Sequence, residues 1–317
     1  MKIALITPAL PHSRAGNRAT AVRWKNILTE LGHRIELSTS FANGQYDAMV
    51  ALHSWRSAAS IRHFYEQYPE KPLIVALTGT DLYKFINTHP RATLHSIKIA
   101  DALVALHDLA DLAIPKIYRK KVSVIYQSAK PINRKQKKNK RHFDVCVIGH
   151  LREEKDPLRA AYAVRNLPDH SRIRVKQYGK AHTPTWAKRA KQEMKNNPRY
   201  RWYGDVPHWQ IRKQYATADA MVLSSKMEGG ANVISEACVA GLPAICSDII
   251  GSIGLLGKNN PGYYAVGDTK SLREILLKIE TDKTLLNRLQ QACLAKANLF
   301  TYEKEKNSWE RLLNKLI

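Results

Sequence analysis

Paired cysteines are missing from the sequence: Cys146, Cys238, Cys246 and Cys293 stand apart in 317 residues, with no Cys-x-x-Cys spacing among them. That excludes a ribbon-type zinc site and a disulfide framework, and leaves the four thiols as small buried hydrophobes. Long apolar runs are missing too. The strand-like "LIVAL" at Leu73 to Leu77 falls far short of the ~20 residues that cross a bilayer. The opening "MKIALITPAL" reaches Pro8 and then turns polar, so no secretory pattern is present, and a cytoplasmic address without a transmembrane segment is expected. Acidic residues are scarce, with 27 Asp and Glu against 51 Lys and Arg and a formal charge of +24. Such an imbalance calls for an anionic partner, whether nucleic acid, phospholipid or phosphorylated small molecules. No helix-turn-helix, RNA-recognition or zinc motif accompanies it, so no stable nucleic-acid complex is expected. No Asp-x-Asp metal motif stands at a strand end, and no metal or cofactor is expected.

What is present is an alternation of short apolar runs with amphipathic stretches, the pattern of parallel strands covered by helices. "KIALIT", "HRIELST", "YDAMVALH", "PLIVALTG", "DALVAL" and "KVSVIYQS" read as strands of a first domain, residues 1–130. A basic linker, 131–142, contains "RKQKKNKR" from Arg134 to Arg141. The pattern restarts in a second domain, 143–300, with "FDVCVIGHL", "RIRVKQYG", "YRWYG" and "ADAMVLSS" as strands and a helix expected from Pro157. The final stretch, 301–317, carries Trp309, Leu312, Leu313 and Leu316 at helical spacing and is a candidate to return to the first domain. The fold expected is α/β, two doubly wound Rossmann-like domains facing a central cleft.

Ligands of such sheets collect beyond the carboxyl ends of the strands. In the first domain those ends offer Arg14, Gly16, Asn17 and Arg18, then His53 and Arg56, then Thr80 and Asp81. Gly16 permits close backbone approach and precedes a helix N-terminus. His53 either bonds structurally or binds a substrate hydroxyl with titratable chemistry near neutrality. Asp81 either caps the next helix or orients a substrate. In the second domain "GHLREEKDP" places Arg152 and Lys155 before the expected helix at Pro157, a cationic setting for a diphosphate. "SSKMEGGANVISEACVAGLPAICSD" then sets Glu228 before Gly229, Gly230 and Ala231, at the head of a helix beginning at Asn232 or Val233 with Glu236 inside it. Free amides suit phosphate oxygens and carboxylates suit sugar hydroxyls, which together are the halves of a nucleotide sugar. Cys238 and Cys246 lie within this stretch.

These residues resemble the GT-B glycosyltransferases of retaining family 4, over nearly the whole chain. The resemblance implies a contact from Glu228 to the donor sugar and from Glu236 to the nucleotide ribose, with Gly229 to Asn232 near sugar and diphosphate and His53 beside the transferring sugar. The family's arginine after the strand-end glycine is His150 here, so Arg152 is the candidate guanidinium beside Lys155. More narrowly, "ALITPALPHSRAGNRATAVRW", "LHSWRSAASIR", "ALTGTDLY" and "GHLREEKDPLRAA" are similar to the selenosugar synthases of selenoneine biosynthesis. That implies UDP-N-acetylhexosamine, typically UDP-GlcNAc, and selenophosphate as substrates, with other pathway enzymes as partners. Arg14, Asn17, Arg18, Arg56, Thr80 and Asp81 would then face the acceptor. A transferase building a lipid-linked or cell-envelope glycan is the other enzyme reading.

Overall fold

The computed structural model describes residues 1–13, 15–132 and 141–316. Arg14 and most of the cationic run, through Lys140, lie outside the described residues.

Six strands make the first sheet: β1 (Lys2–Ile6), β2 (Arg34–Ser38), β3 (Ala48–Leu52), β4 (Leu73–Ala76), β5 (Ala102–Ala105) and β6 (Val122–Val124). Their order is β2-β1-β3-β4-β5-β6, and every neighbouring pair is parallel. All five residues of β3 and all four of β4 and β5 are buried. This is why they read as unbroken apolar runs: both faces of a parallel sheet are covered, so no alternation survives. Ile3, Leu5, Val50 and Trp24 pack on one face, and Ile6, Met49, Ile61 and Phe64 on the other.

The second sheet holds β7 (Phe143–Ile148), β8 (Ile173–Tyr178), β9 (Tyr200–Trp202), β10 (Ala220–Leu223), β11 (Ala244–Ser247) and β12 (Tyr263–Tyr264). It is also wholly parallel, in the order β12-β11-β10-β7-β8-β9. Helix starts on this half follow local chemistry. Thr183 accepts from the Trp186 N–H ahead of Pro184–Asn196, and Asp268 accepts from the Ser271 N–H ahead of Thr269–Thr281, each satisfying a donor that the helix cannot.

The chain divides into two compact units. One comprises Met1–Ser128, Glu228–Asn232 and Thr301–Ile317, and the other Ala129–Met227 and Val233–Phe300. The last helix, Tyr302–Leu316, thus belongs to the first unit. Its Trp309 is fully buried against Trp24, with ring centroids 4.8 Å apart and planes at 71°, an edge-to-face pair. Glu305, one turn earlier, is 1% exposed. Its carboxylate accepts from Arg23 Nε at 2.9 Å, Trp24 Nε1 at 2.8 Å, the Ser128 N–H at 2.8 Å and the Ser128 hydroxyl. A buried carboxylate persists only when so fully bonded.

Two expectations shift. The helix anticipated from Pro157 starts at Arg159 and runs only to Ala163, because Asp156 adopts a left-handed φ of 40° and its carboxylate takes the Arg159 Nε at 2.7 Å. Gly16, expected to precede a helix, is itself the first residue of one, Gly16–Glu30. All four cysteines are buried. Among the described residues no helix is long and apolar enough to cross a membrane.

Candidate active site

Strand order locates the sites. In the first sheet the chain leaves β1 for β2 on one side and returns to β3 on the other, so the order reverses between β1 and β3. In the second it reverses between β7 and β10. The carboxyl ends flanking a reversal splay apart and leave a crevice for a ligand. The loops singled out from the sequence follow these strands: Thr7 to Arg18 after β1, His53 to Ser57 after β3, Gly149 to Lys155 after β7, and Ser224 onward after β10.

His53 directly follows β3 with φ at 75°, a left-handed conformation that a non-glycine residue seldom takes. Its neighbours hold it there. The His53 N–H donates to the Ala76 carbonyl at 2.8 Å, and the Ser57 N–H donates to the His53 carbonyl at 3.1 Å. The residue is 1% exposed. The Arg56 N–H donates to Nδ1 at 3.2 Å, so Nδ1 carries the lone pair and Nε2 the proton, which is donated to Thr80 Oγ1 at 2.9 Å. Burial pulls the imidazole pKa below its ordinary value, against the opposing pull of Asp81 and with help from the Arg56 charge. His53 is therefore a neutral hydrogen-bond donor to Thr80.

Asp81 is fully buried. Its carboxylate accepts from the N–H groups of Thr78 at 2.9 Å, Gly79 at 2.7 Å, Ser54 at 3.0 Å and Leu82 at 3.2 Å. It thereby ties the loops after β3 and β4 together from within, and it opens a π-helical turn, Asp81–Phe85, a distortion common at functional sites. Phe85 of that turn stacks on Trp55 at 3.9 Å and 17°, with the exposed Arg56 guanidinium 5.9 Å from the Phe85 ring.

On the loop after β1, Gly16 is exposed, and a Cβ there would meet nothing within 4 Å. No described residue imposes a glycine at this position. The Asn17 carbonyl accepts from Thr7 Oγ1 at 3.4 Å, and the Arg18 N–H closes the first helical turn onto the Ala15 carbonyl at 3.0 Å. Among the described residues no side chain caps this helix.

The Glu228–Asn232 segment groups with the first unit. Gly229 packs backbone to backbone on Thr78 and Gly79: a Cβ on Gly229 would lie 2.3 Å from the Gly79 nitrogen, and one on Gly79, whose φ is 120°, would lie 2.5 Å from the Gly229 nitrogen. A Cβ on Gly230 would lie 2.3 Å from Leu106 Cβ. Among the described residues no acceptor is recorded for the N–H groups of Gly229, Gly230 or Ala231. Asn232 opens the helix Asn232–Ala240, and its Oδ1 receives Arg23 at 3.4 Å. With the Gln127 amide oriented to satisfy its surroundings, its nitrogen donates to the Gly230 carbonyl and to Asn232 Oδ1, both at 3.0 Å. Its oxygen accepts from Thr20 at 2.6 Å and Arg23 at 3.2 Å. Gln127, Arg23 and Glu305 are missed by the sequence reading, although Gln127 stands at the end of "VSVIY", where the strand-end rule would have found it.

In the second unit, the loops after β7 and β10 are bonded to each other. Ser224 Oγ donates to the Asp156 carbonyl at 2.9 Å, the Lys226 N–H donates to the Glu154 carbonyl at 2.8 Å, and Lys226 pairs with Glu153. Lys155 lies in the 3-10 turn Glu153–Lys155, ahead of a helix too short to contribute a useful dipole. Arg152 is half-buried, its Nε buried with no recorded hydrogen-bond partner. His150 accepts the Lys180 N–H on Nδ1 at 3.1 Å and so serves the loop after β8. A Cβ on Gly179, whose φ is 141°, would lie 2.1 Å from the Gly149 carbonyl oxygen. Val233 follows Asn232 in the first turn, and Glu236, one turn on, pairs with His208 Nε2 at 3.2 Å. That bond lifts the His208 pKa above its ordinary value against the effect of burial. Among the described residues no group of three His, Cys, Asp or Glu side chains could hold a metal ion.

Comparisons with known proteins extend this picture. Residues 128–294 match the family model "Glycosyl transferases group 1". TuaC of Bacillus subtilis (strain 168), which bears the name of a teichuronic acid biosynthesis glycosyltransferase, is 32% identical over 80 residues, 25% of this chain. The match spans 21% of TuaC's own length. Among solved structures, Anabaena HepE in complex with UDP and glucose superposes with a TM-score of 0.76 at 15% identity, covering 99% of this chain and 100% of that one. Sucrose-phosphate synthase from Thermosynechococcus elongatus gives 0.79 at 14% identity, with 99% and 98% covered. At these identities the likeness is one of fold, and the fold is the two-domain GT-B arrangement.

Proposed function

The chain belongs to the group 1 glycosyl transferases, and from that premise we propose that it moves the sugar of a UDP-N-acetylhexosamine, UDP-GlcNAc, onto selenophosphate with retention of anomeric configuration. The C1–O bond to UDP breaks and a C1–Se bond forms, and water then cleaves the Se–P bond, so that UDP and phosphate leave beside a 1-seleno sugar. The observation that carries the donor half is the Glu228–Asn232 segment. Its carboxylate leads three residues whose N–H groups meet no acceptor among the described residues, and Gly229 packs on the backbone of Thr78 and Gly79. Bound UDP in HepE supports this reading by analogy.

In this reading Glu228 meets the donor sugar, Glu236 the ribose, and Lys155 with Arg152 the diphosphate, supplying the counter-charge for departing UDP without a metal. The buried Arg152 Nε lacking a recorded partner favours that assignment. His53, neutral and buried, gives its Nε2 proton to Thr80 Oγ1 and acts on a sugar hydroxyl through that threonine. Selenophosphate is already anionic and needs orientation more than deprotonation. Arg56 offers an exposed guanidinium beside His53, and Arg14, Asn17 and Arg18 complete the acceptor assignment. The partial match to TuaC favours a second reading, a cell-envelope glycan acceptor.

The test is anaerobic incubation of the protein with UDP-GlcNAc and selenophosphate, followed by mass spectrometry, with Glu228→Ala and Lys155→Ala as controls and a parallel run in EDTA. A selenium-bearing hexosamine with stoichiometric UDP from wild type, unaffected by EDTA and reduced about a hundredfold or more in the variants, is the expected result. Binding of UDP-GlcNAc without a selenium product would remove selenophosphate and direct attention to glycan acceptors.

A further inference from the structure

We propose that Gln127 and Arg23 are positioning residues of the transfer reaction, aiming the Gly230–Ala231 peptide at the donor under the control of the buried Glu305 carboxylate. The inference rests on the donor reading above. Its basis is a chain of contacts within one unit. Glu305 fixes Arg23 through Nε, at 3.1 and 2.9 Å to its two oxygens. It also fixes the backbone of Ser128, beside Gln127. Arg23 and Thr20, both on the first helix, then orient the Gln127 amide through its oxygen, which leaves its nitrogen facing the Gly230 carbonyl and Asn232 Oδ1.

The consequence lies in the geometry of a trans peptide, whose carbonyl and N–H point in opposite directions across one plane. A Gly230 carbonyl held by Gln127 obliges the Ala231 N–H to point away from Gln127, and no acceptor is recorded for that N–H among the described residues. Glycine at 230 leaves this plane free to rotate, so something else must fix it, and Gln127 does. Asn232, held by the same amide, is the first residue of the helix Asn232–Ala240. The Gln127 amide and the Glu305 carboxylate spend their polar atoms within this network, so neither is available to a ligand itself. Their influence passes through the peptide they hold.

Gln127→Glu is nearly isosteric but replaces the donating nitrogen with an oxygen that faces two acceptors. Arg23→Lys keeps a charge for Glu305 yet lacks the second guanidinium nitrogen that reaches Gln127, and it serves as the second variant if the first does not fold. Calorimetric Kd for UDP and for UDP-GlcNAc, with separate KM values for donor and acceptor, are the readouts. Each variant is expected to weaken donor affinity about tenfold and to leave the acceptor KM unchanged. A lowered Tm with donor affinity equal to wild type would mean that these residues only support the fold, and would overturn the inference. A wild-type chain that binds neither UDP nor UDP-GlcNAc would instead overturn the donor reading, and this inference with it. The two failures are distinguished by wild type alone.

Discussion

Thr80 Oγ1 receives its hydrogen bond from His53 Nε2 at 2.9 Å because the Arg56 backbone N–H has already claimed Nδ1 at 3.2 Å. A single tautomer is thereby selected. His53→Asn tolerates the left-handed backbone better than alanine would but does not reproduce the ring. We expect kcat/KM to fall about a hundredfold with only a few degrees lost in Tm. Because burial keeps His53 neutral, the wild-type pH–rate profile should show no inflection near 6.5 from this group. An inflection that disappears in His53→Asn would refute the assignment.

His107 gives a stability signature of its own. It is buried and bonded to the Tyr83 hydroxyl at 2.9 Å, and burial pushes its pKa down to about 4 from 6.5. The unfolded chain therefore binds a proton between these values that the folded chain refuses. Stability is at its plateau above about 6.5 and declines as pH falls toward about 4, by up to about 3 kcal/mol from this residue. Chemical denaturation at a series of pH values should show that slope, and His107→Gln should flatten it.

Gly229→Ala tests the backbone contact. Its methyl group would sit 2.3 Å from the Gly79 nitrogen and from the Thr78 carbonyl carbon, neither of which is a flexible side-chain tip. The segment must shift, at a cost of about 1–3 kcal/mol. Transfer activity should drop by at least tenfold, and more steeply than for an alanine at Gly16, where nothing lies within 4 Å. Equal activities of the two variants would show that the contact at Gly229 is unimportant.

Trp309→Ala removes a fully buried ring packed edge-to-face on Trp24. A loss of about 3–5 kcal/mol is expected in urea titration, with the transition of the first unit moving and that of the second much less affected.

The strands were legible in the sequence because "AMVAL" and "LIVA" are buried on both faces and lack any polar alternation. The candidate loops were legible because they follow such strands; those after β1, β3, β7 and β10 flank the two reversals of strand order, and the one after β4 does not. Other features were not. The helix at Pro157 failed because Asp156 spends its carboxylate on Arg159 in a left-handed turn, a competition that a proline signal does not reveal. The tautomer of His53 depends on a backbone N–H and its burial on long-range packing, so its neutrality could not be read from position. Gln127 and Glu305 look like ordinary polar residues until the bond between Glu305 and Ser128, 177 residues apart, closes the network.

The same network bears on how the protein is made. Trp24 donates to Glu305 across 281 residues of sequence, so at ribosomal speeds of about 5–20 residues per second the first helix waits on the order of tens of seconds for its partner to be synthesised. During that interval the apolar face that will receive Trp309 has no cover. The nascent chain should therefore be a chaperone client until Tyr302–Leu316 emerges, and a stop codon before that helix should produce an insoluble or degraded polypeptide instead of a weakly active one.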